Sequence, residues 1–192
     1  FNINSAFSTI AMIGANLQMT KTQDRKNLIR DLFDQLAPKR KRWIKKNAEF
    51  HQNDISYMRF IIPPNQKILD IGCGNGHLLN ALEPSRGIGI DFSSKMIEAA
   101  KNEFPELEFC VGDTEDPDFM NTLHGPFDFI VLSDTIGMLE DIEASLNNLK
   151  KLCTPETRIV IAYYSQMWGP LLRLGELFSA KMPQAEQNWL NI

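Results

Sequence analysis

Ile68-Leu69-Asp70-Ile71-Gly72-Cys73-Gly74-Asn75-Gly76 is the stretch on which the fold turns. A short apolar strand runs here into three glycines at alternate positions. Such a run turns tightly and lets a ligand approach bare backbone, and the helix that follows it aims its N-terminus at that ligand. The spacing then separates ligand classes. The dinucleotide fingerprint G-x-G-x-x-G needs glycine at 77, where this chain has His77. The pattern is instead G-x-G-x-G, with an acid two residues before the first glycine.

Outward from this loop the chain alternates short strands and helices. Lys67–Ile71 reads as a buried strand, and His77–Leu82 as a helix. Gly87–Asp91 is a second strand, followed by a helix over Ser94–Glu103 that ends before Pro105. Leu107–Val111 makes a third strand. Phe127–Ser133 is nearly continuous in apolar residues, as a strand covered on both faces requires. Glu140–Cys153 reads as a helix and Arg158–Tyr164 as a fifth strand. Strands separated by helices imply right-handed crossovers and a parallel sheet. The expected class is α/β, Rossmann-like and doubly wound, with a mainly parallel sheet in the order 3-2-1-4-5 and N-terminal helices.

Upstream of Pro63-Pro64-Asn65 the grammar is helical. Leu28, Ile29, Leu32, Phe33 and Leu36 recur at helical spacing from Thr22 to Ala37, and Pro38 is expected to end that helix. A second helix is predicted over Lys39–Phe60. Residues 1–20 carry no charge and read as an N-terminal arm or a non-native extension, with Met19 a plausible natural start. The domain reading is therefore 1–20 arm, 21–62 helical lid, and 63–192 Rossmann-like domain.

The chain has 192 residues, 43% of them hydrophobic and 23% charged, which suits one globular domain with an appendage. No run of 18 apolar residues exists, so no membrane span is expected. Cys73, Cys110 and Cys153 are too few and scattered for a disulfide framework, and a cytoplasmic setting is the default expectation. Charge is uneven: residues 1–59 hold 11 basic and 5 acidic side chains, residues 60–192 hold 9 and 19. An acidic body argues against nucleic-acid binding.

The segment ILDIGCGNG resembles motif I of class I S-adenosylmethionine-dependent methyltransferases. The resemblance covers about residues 66–164. It implies S-adenosylmethionine as cofactor, held at Asp70, Gly72, Cys73, Gly74 and Gly76. Asp91, 19 residues after Gly72, takes the ribose position, although Asp91-Phe92-Ser93-Ser94 reads equally as a helix cap. Asp113 takes the position that recognises the adenine amino group, with Thr114 as its neighbour, or is a solvated acid among Glu115, Asp116 and Asp118. Phe92 and Met96 flank ribose or adenine, or pack the core. Ser133 and Asp134 line the methyl-donor region, or cap a turn. Many relatives carry a histidine shortly after, but Leu139-Glu140-Asp141 stands here, so no general base is carried over. The phrases FDQLAPKRKRW, FIVLSDTIGMLEDIE and MPQAEQNWL also look like methyltransferase modules joined to glycosyltransferases of surface-polysaccharide or lipid-linked sugar pathways.

Against the family pattern, the final antiparallel strand pair is expected to be missing, leaving the fifth strand as a sheet edge open to dimer formation. Trp43 and His51 on the lid, and Tyr164 and Trp168 after the fifth strand, are candidates for contact with a small-molecule, sugar or lipid-linked acceptor. Lys39-Arg40-Lys41-Arg42-Trp43-Ile44-Lys45-Lys46 holds six basic residues in eight. It reads as a solvated face or as a peripheral contact with an anionic partner or membrane. His51, His77 and His124 lack metal-ligand spacing, and no metal is expected. Two rival readings stay open: a nicotinamide-dependent oxidoreductase, and a non-catalytic cofactor-binding or scaffold module of the same fold.

Overall fold

The computed structural model describes the backbone of residues 3–163 and the side chains of residues 25–163. Five strands form one parallel sheet in the order β3-β2-β1-β4-β5: β1 Lys67–Ile71, β2 Arg86–Asp91, β3 Glu108–Val111, β4 Phe129–Ser133 and β5 Arg158–Ala162. Register aligns Ile71 with Ile90, Asp91 with Val111, and Ser133 with Ala162. The carboxyl ends of the strands therefore share one rim. Strand order reverses between β1 and β4, and ligands of doubly wound sheets bind outside the strand ends at such a switch point.

Each face of the sheet has its own core. Leu69, Ile71, Ile88, Ile90, Ile130 and Leu132 pack on one side with Phe127, Leu149 and Leu152. Ile68, Phe109, Phe129 and Val131 pack on the other with Met58, Leu79 and Ile97. Period-2 alternation along strands covered on both faces produces this division. Between the strands lie α3 (His77–Ala81), α4 (Ser94–Glu103), α5 (Pro117–Asn121) and α6 (Ile142–Leu149). Ser93 caps α4, its hydroxyl accepting the Met96 amide at 3.1 Å, and Asp141 caps α6 through the Ala144 amide at 2.8 Å. The short α5 was not foreseen in the sequence; Asp116 caps it and Pro117 occupies its first turn.

The N-terminal helices differ from expectation at Pro38. Helix α1 runs from Ile3 to Lys46 with Pro38 inside it, and the break falls at Asn47, before α2 (Ala48–Ile61). An internal proline forfeits one hydrogen bond and clashes with the carbonyl four residues back, about 3 kcal/mol or more. Packing on both sides of it offsets that cost. Leu36 and Ala37 are buried against Met96, with Leu32, Phe33 and Trp43 around them. Helix α1 also passes from residue 20 to 21 unbroken. The predicted helix over Glu140–Cys153 is shorter, α6 giving way to a 3-10 turn at Lys150–Leu152. No described helix is long and apolar enough to cross a membrane. Tyr164, Trp168 and the expected absence of a final strand pair lie outside the described residues.

Candidate cofactor cleft and its relatives

The glycine loop stands between β1 and α3, and three of its glycines have left-handed backbone: Gly72 (φ 72°), Gly74 (φ 54°) and Gly76 (φ 76°). They serve different ends. A Cβ on Gly72 would lie 2.1 Å from Thr135 Oγ1, and one on Gly76 would lie 2.5 Å from the Phe109 ring. Those two positions are small because protein crowds them. A Cβ on Gly74 would meet nothing within 4 Å. Gly74 alone of the three faces open space, and it lines the cleft.

Four of the loop's amides are spent within the protein. Those of Gly72 and Cys73 donate to the Ile90 carbonyl at 2.8 and 3.0 Å, and that of Gly76 to the Cys73 carbonyl. The Gly74 amide donates to Asp91 Oδ2 at 2.9 Å. Bare peptide at Gly74 thus forms a wall of the cleft, and these four donors hold the loop in place.

Asp91, at the end of β2, is buried and also accepts the Ser93 amide through Oδ1 at 2.9 Å. Burial pushes its carboxyl up to about 6, against the pull of those two amides and Arg40, while Asp34 adds to the rise. Asp70 is buried too, and among the described residues its Oδ2 has no hydrogen-bond partner. Burial, with the Asp91 charge behind it, pushes Asp70 up to about 7. Burial likewise drives the Cys73 thiol far up, so it is a packed sulfur rather than a nucleophile.

One cleft on the strand rim gathers Gly72, Gly74, Asp91, Phe92, Met96, Asp113, Thr114, Ser133 and Asp134. Asp70 and Cys73 line a second cavity that continues from it, together with His51. Gly76 lies in neither, and Trp43 packs against the Met96 cluster beneath Lys46, whose ammonium sits 5.1 Å from the Trp43 ring centroid. Asp134 holds a left-handed backbone (φ 56°) between the two cavities, its amide donating to the Ala162 carbonyl at 2.8 Å.

Helix α1 supplies site residues that sequence reasoning missed. Lys26, Phe33 and Arg40 line the cleft. The Lys26 ammonium lies 2.7 Å from both Asp113 and Glu115, and it is raised because those two partners outweigh its burial. Arg25 pairs with Glu140, and the Asp34 carboxylate accepts the Ser93 hydroxyl at 2.5 Å. Phe33 meets Phe92 edge to face at 6.3 Å. Of the basic run, Arg40 thus turns into the cleft, and Lys41 pairs with Glu103 at 2.9 Å. The sequence signals for these roles were the amphipathic spacing of α1 and, for Arg40, its place in the basic run over 39–46.

A parallel sheet in this order, with a glycine loop after β1 and acids ending β2 and following β3, defines the class I S-adenosylmethionine-dependent methyltransferase fold. The chain belongs to the methyltransferase domain family, which matches residues 22–191. It is similar to the demethylmenaquinone methyltransferase of Streptomyces griseus, 29% identical over 110 residues that cover 56% of this chain and 46% of that one. It is also similar to the ubiquinone biosynthesis O-methyltransferase of Bartonella tribocorum, 25% identical over 139 residues, 70% of this chain and 55% of that one. In structure it resembles the magnesium protoporphyrin IX methyltransferase of Synechocystis PCC 6803 with bound S-adenosylmethionine. There the TM-score is 0.60 at 21% identity, covering 74% of this chain and 77% of the other. The chain spans 44 to 46% of the length of the first curated relatives it matches. In family and fold this is a class I methyltransferase, and S-adenosylmethionine is the cofactor of that class.

Proposed function

We propose that the chain binds S-adenosylmethionine along this cleft and transfers its methyl group to a small-molecule acceptor in the cytoplasm. The observation that carries the reading is the direction of Gly74. Its bare α-carbon faces the same open space that Asp91 and Asp113 line. Asp91 is assigned to the ribose hydroxyls. Its two oxygens each hold one amide, and a carboxylate has about four lone-pair sites, so acceptor capacity remains. Asp113 is assigned to the adenine amino group, and Thr114, Phe92 and Met96 to the walls beside it. Asp70 faces the cationic amino-acid end; an orphaned buried carboxylate oxygen suits a cationic ligand.

When bound, the cofactor supplies a methyl carbon made electrophilic by a sulfonium cation. The protein's part is alignment and exclusion of water, and holding reactants in line contributes on the order of 7–11 kcal/mol in favourable cases. Ser133 and Asp134 stand where the two cavities meet and would border the reacting centre. The acceptor is taken to be small because the named curated relatives carry quinone names. His51 is assigned to the acceptor side, and Trp43 is not, given its packing.

Isothermal titration of the full chain with S-adenosylhomocysteine tests the reading, with NADH as the comparison. Micromolar binding of the first and none of the second is expected. The reverse pattern favours the oxidoreductase. Binding without methyl transfer from labelled cofactor to a broad acceptor extract leaves a scaffold module.

A further inference from the structure

The outer side of the N-terminal helices carries two unlike surfaces end to end. Helix α1 closes with Lys39, Arg42, Lys45 and Lys46, all exposed. Helix α2 then presents Phe50, Tyr57 and Phe60, which are 47, 62 and 88% exposed. The two join at Asn47 without loss of helical bonding. Its amide donates to the Trp43 carbonyl at 3.0 Å, and its carbonyl accepts the His51 amide at 3.1 Å. Positions 39, 42, 46, 50, 53, 57 and 60 succeed one another at steps of three or four, the spacing of one helix stripe. We propose that this stripe docks on an anionic lipid bilayer, its basic end meeting the phosphate headgroups while Tyr57 and Phe60 enter the interface.

Both helices already have an inner face. Leu36 and Ala37 pack on Met96, and Met58 and Ile62 are buried in the core of the sheet. That packing needs no aromatic rings on the far side. A single exposed apolar side chain is ordinary on a protein surface, but three on one stripe form a patch. The basic side chains beside it are available too. Arg40 lines the cleft and Lys41 pairs with Glu103, whereas no ion pair among the described residues holds Lys39, Arg42 or Lys45. Glu49 is the one exposed acid on α2, and Arg59, also exposed, is paired with Glu83.

Charge selects the occupant. Residues 1–59 hold 11 basic and 5 acidic side chains, and residues 60–192 hold 9 and 19. A sheet of phosphates attracts the first part and repels the second, so it turns this face toward itself and the body away. A nucleic-acid duplex would meet the basic end but bury no ring at the aromatic end. A bilayer presents phosphate and hydrocarbon within one interface, where lysine stems stretch out and tyrosine and phenylalanine rings settle at headgroup level. Residues 39–60 span about 30 Å along the helices, so the contact lies in the plane of the surface. It is peripheral, since no described helix is long and apolar enough to cross a membrane. Lys39, Arg42, Lys45, Lys46, Tyr57 and Phe60 line neither cavity, so the proposal stands apart from what fills the cleft.

Co-sedimentation of the full chain with vesicles tests it. Binding is expected to vesicles of three parts phosphatidylcholine to one part phosphatidylglycerol and not to phosphatidylcholine alone, and it should weaken as salt rises. Each basic side chain near an anionic surface is worth about fivefold in partition, so Lys39→Gln, Arg42→Gln and Lys45→Gln combined should lower it about 100-fold. Tyr57→Ser with Phe60→Ser should lower it about tenfold or more. These positions are exposed, so both variants should keep the thermal midpoint of the wild type. Phe60→Trp gives a second reading: its added emission should move to the blue on the phosphatidylglycerol vesicles. Absence of binding to those vesicles at low salt overturns the proposal. So does binding that the Tyr57 and Phe60 changes leave undiminished, which is charge attraction without docking. A dimer in sedimentation velocity that the same two changes dissolve also overturns it, because the stripe then belongs to a second copy.

Discussion

Asp91 and Gly74 are joined across the loop, the Gly74 amide donating to Asp91 Oδ2 at 2.9 Å. The residue assigned to ribose therefore also sets the position of the bare peptide that forms the cleft wall. Asp91→Asn leaves one carbonyl oxygen and places an amide where a second acceptor was. S-adenosylhomocysteine should bind about 1–3 kcal/mol more weakly, roughly 5- to 150-fold by calorimetry. An unchanged dissociation constant would remove Asp91 from the site.

Two glycines two residues apart should respond in opposite ways. Gly74→Ala adds a methyl where nothing lies within 4 Å, so the fold should survive, at about 1–2 kcal/mol for the left-handed backbone, while cofactor product binding is lost. Gly72→Ala drives its methyl into Thr135, whose hydroxyl donates to the Ile71 carbonyl at 2.9 Å. It should unfold at distinctly lower urea concentration. Equal stability of the two variants would contradict the crowding at Gly72.

Helix α1 is held over the cleft by the Lys26 bridge to Asp113 and Glu115. Lys26→Met keeps the side-chain stem and removes the charge. A cost of up to about 1 kcal/mol in global stability is expected, since such pairs are partly screened. Hydrogen exchange over residues 25–46 should rise far more than exchange in the strands. Unchanged exchange there would show that apolar packing at Leu36 and Ala37 alone holds the helix.

Asp70 gives a pH dependence of definite sign. Its folded value of about 7 lies above the ordinary 3.8, so as pH rises the unfolded chain releases the proton first. The contribution to stability is fully present below about pH 4 and is lost as pH climbs to 7. Urea midpoints of wild type minus Asp70→Asn should fall across that window. A cationic ligand facing Asp70 favours the ionised form, so S-adenosylmethionine binding should release protons near pH 6–7 and weaken below it. Calorimetry in buffers of differing ionisation heat detects this release, and Asp70→Asn should abolish it.

Much of the fold could be read before the structure. Helix Ser94–Glu103 falls on its predicted bounds, and β1 does so as well, because a serine cap, a following proline and a dense apolar run are local signals. Pro38 misled because its cost is local and the compensation is not: Leu36 and Ala37 gain from Met96, some sixty residues away in sequence. The candidate cleft was legible in part. The glycine spacing and the acids at strand ends mark positions that the topology brings to one rim. Lys26, Phe33 and Arg40 come from a helix whose angle across that rim no local pattern specifies.

The chain's order of residues by itself determined a parallel α/β sheet, its glycine turn and its acidic strand ends, since periodicity, turn chemistry and handed crossovers act over short range. Tertiary structure alone decided that Gly74 faces space while Gly72 and Gly76 face side chains, and that Arg40 turns into the cleft. Those facts depend on which surfaces are pressed together across the fold, and close packing makes each of them a property of neighbours far apart in sequence.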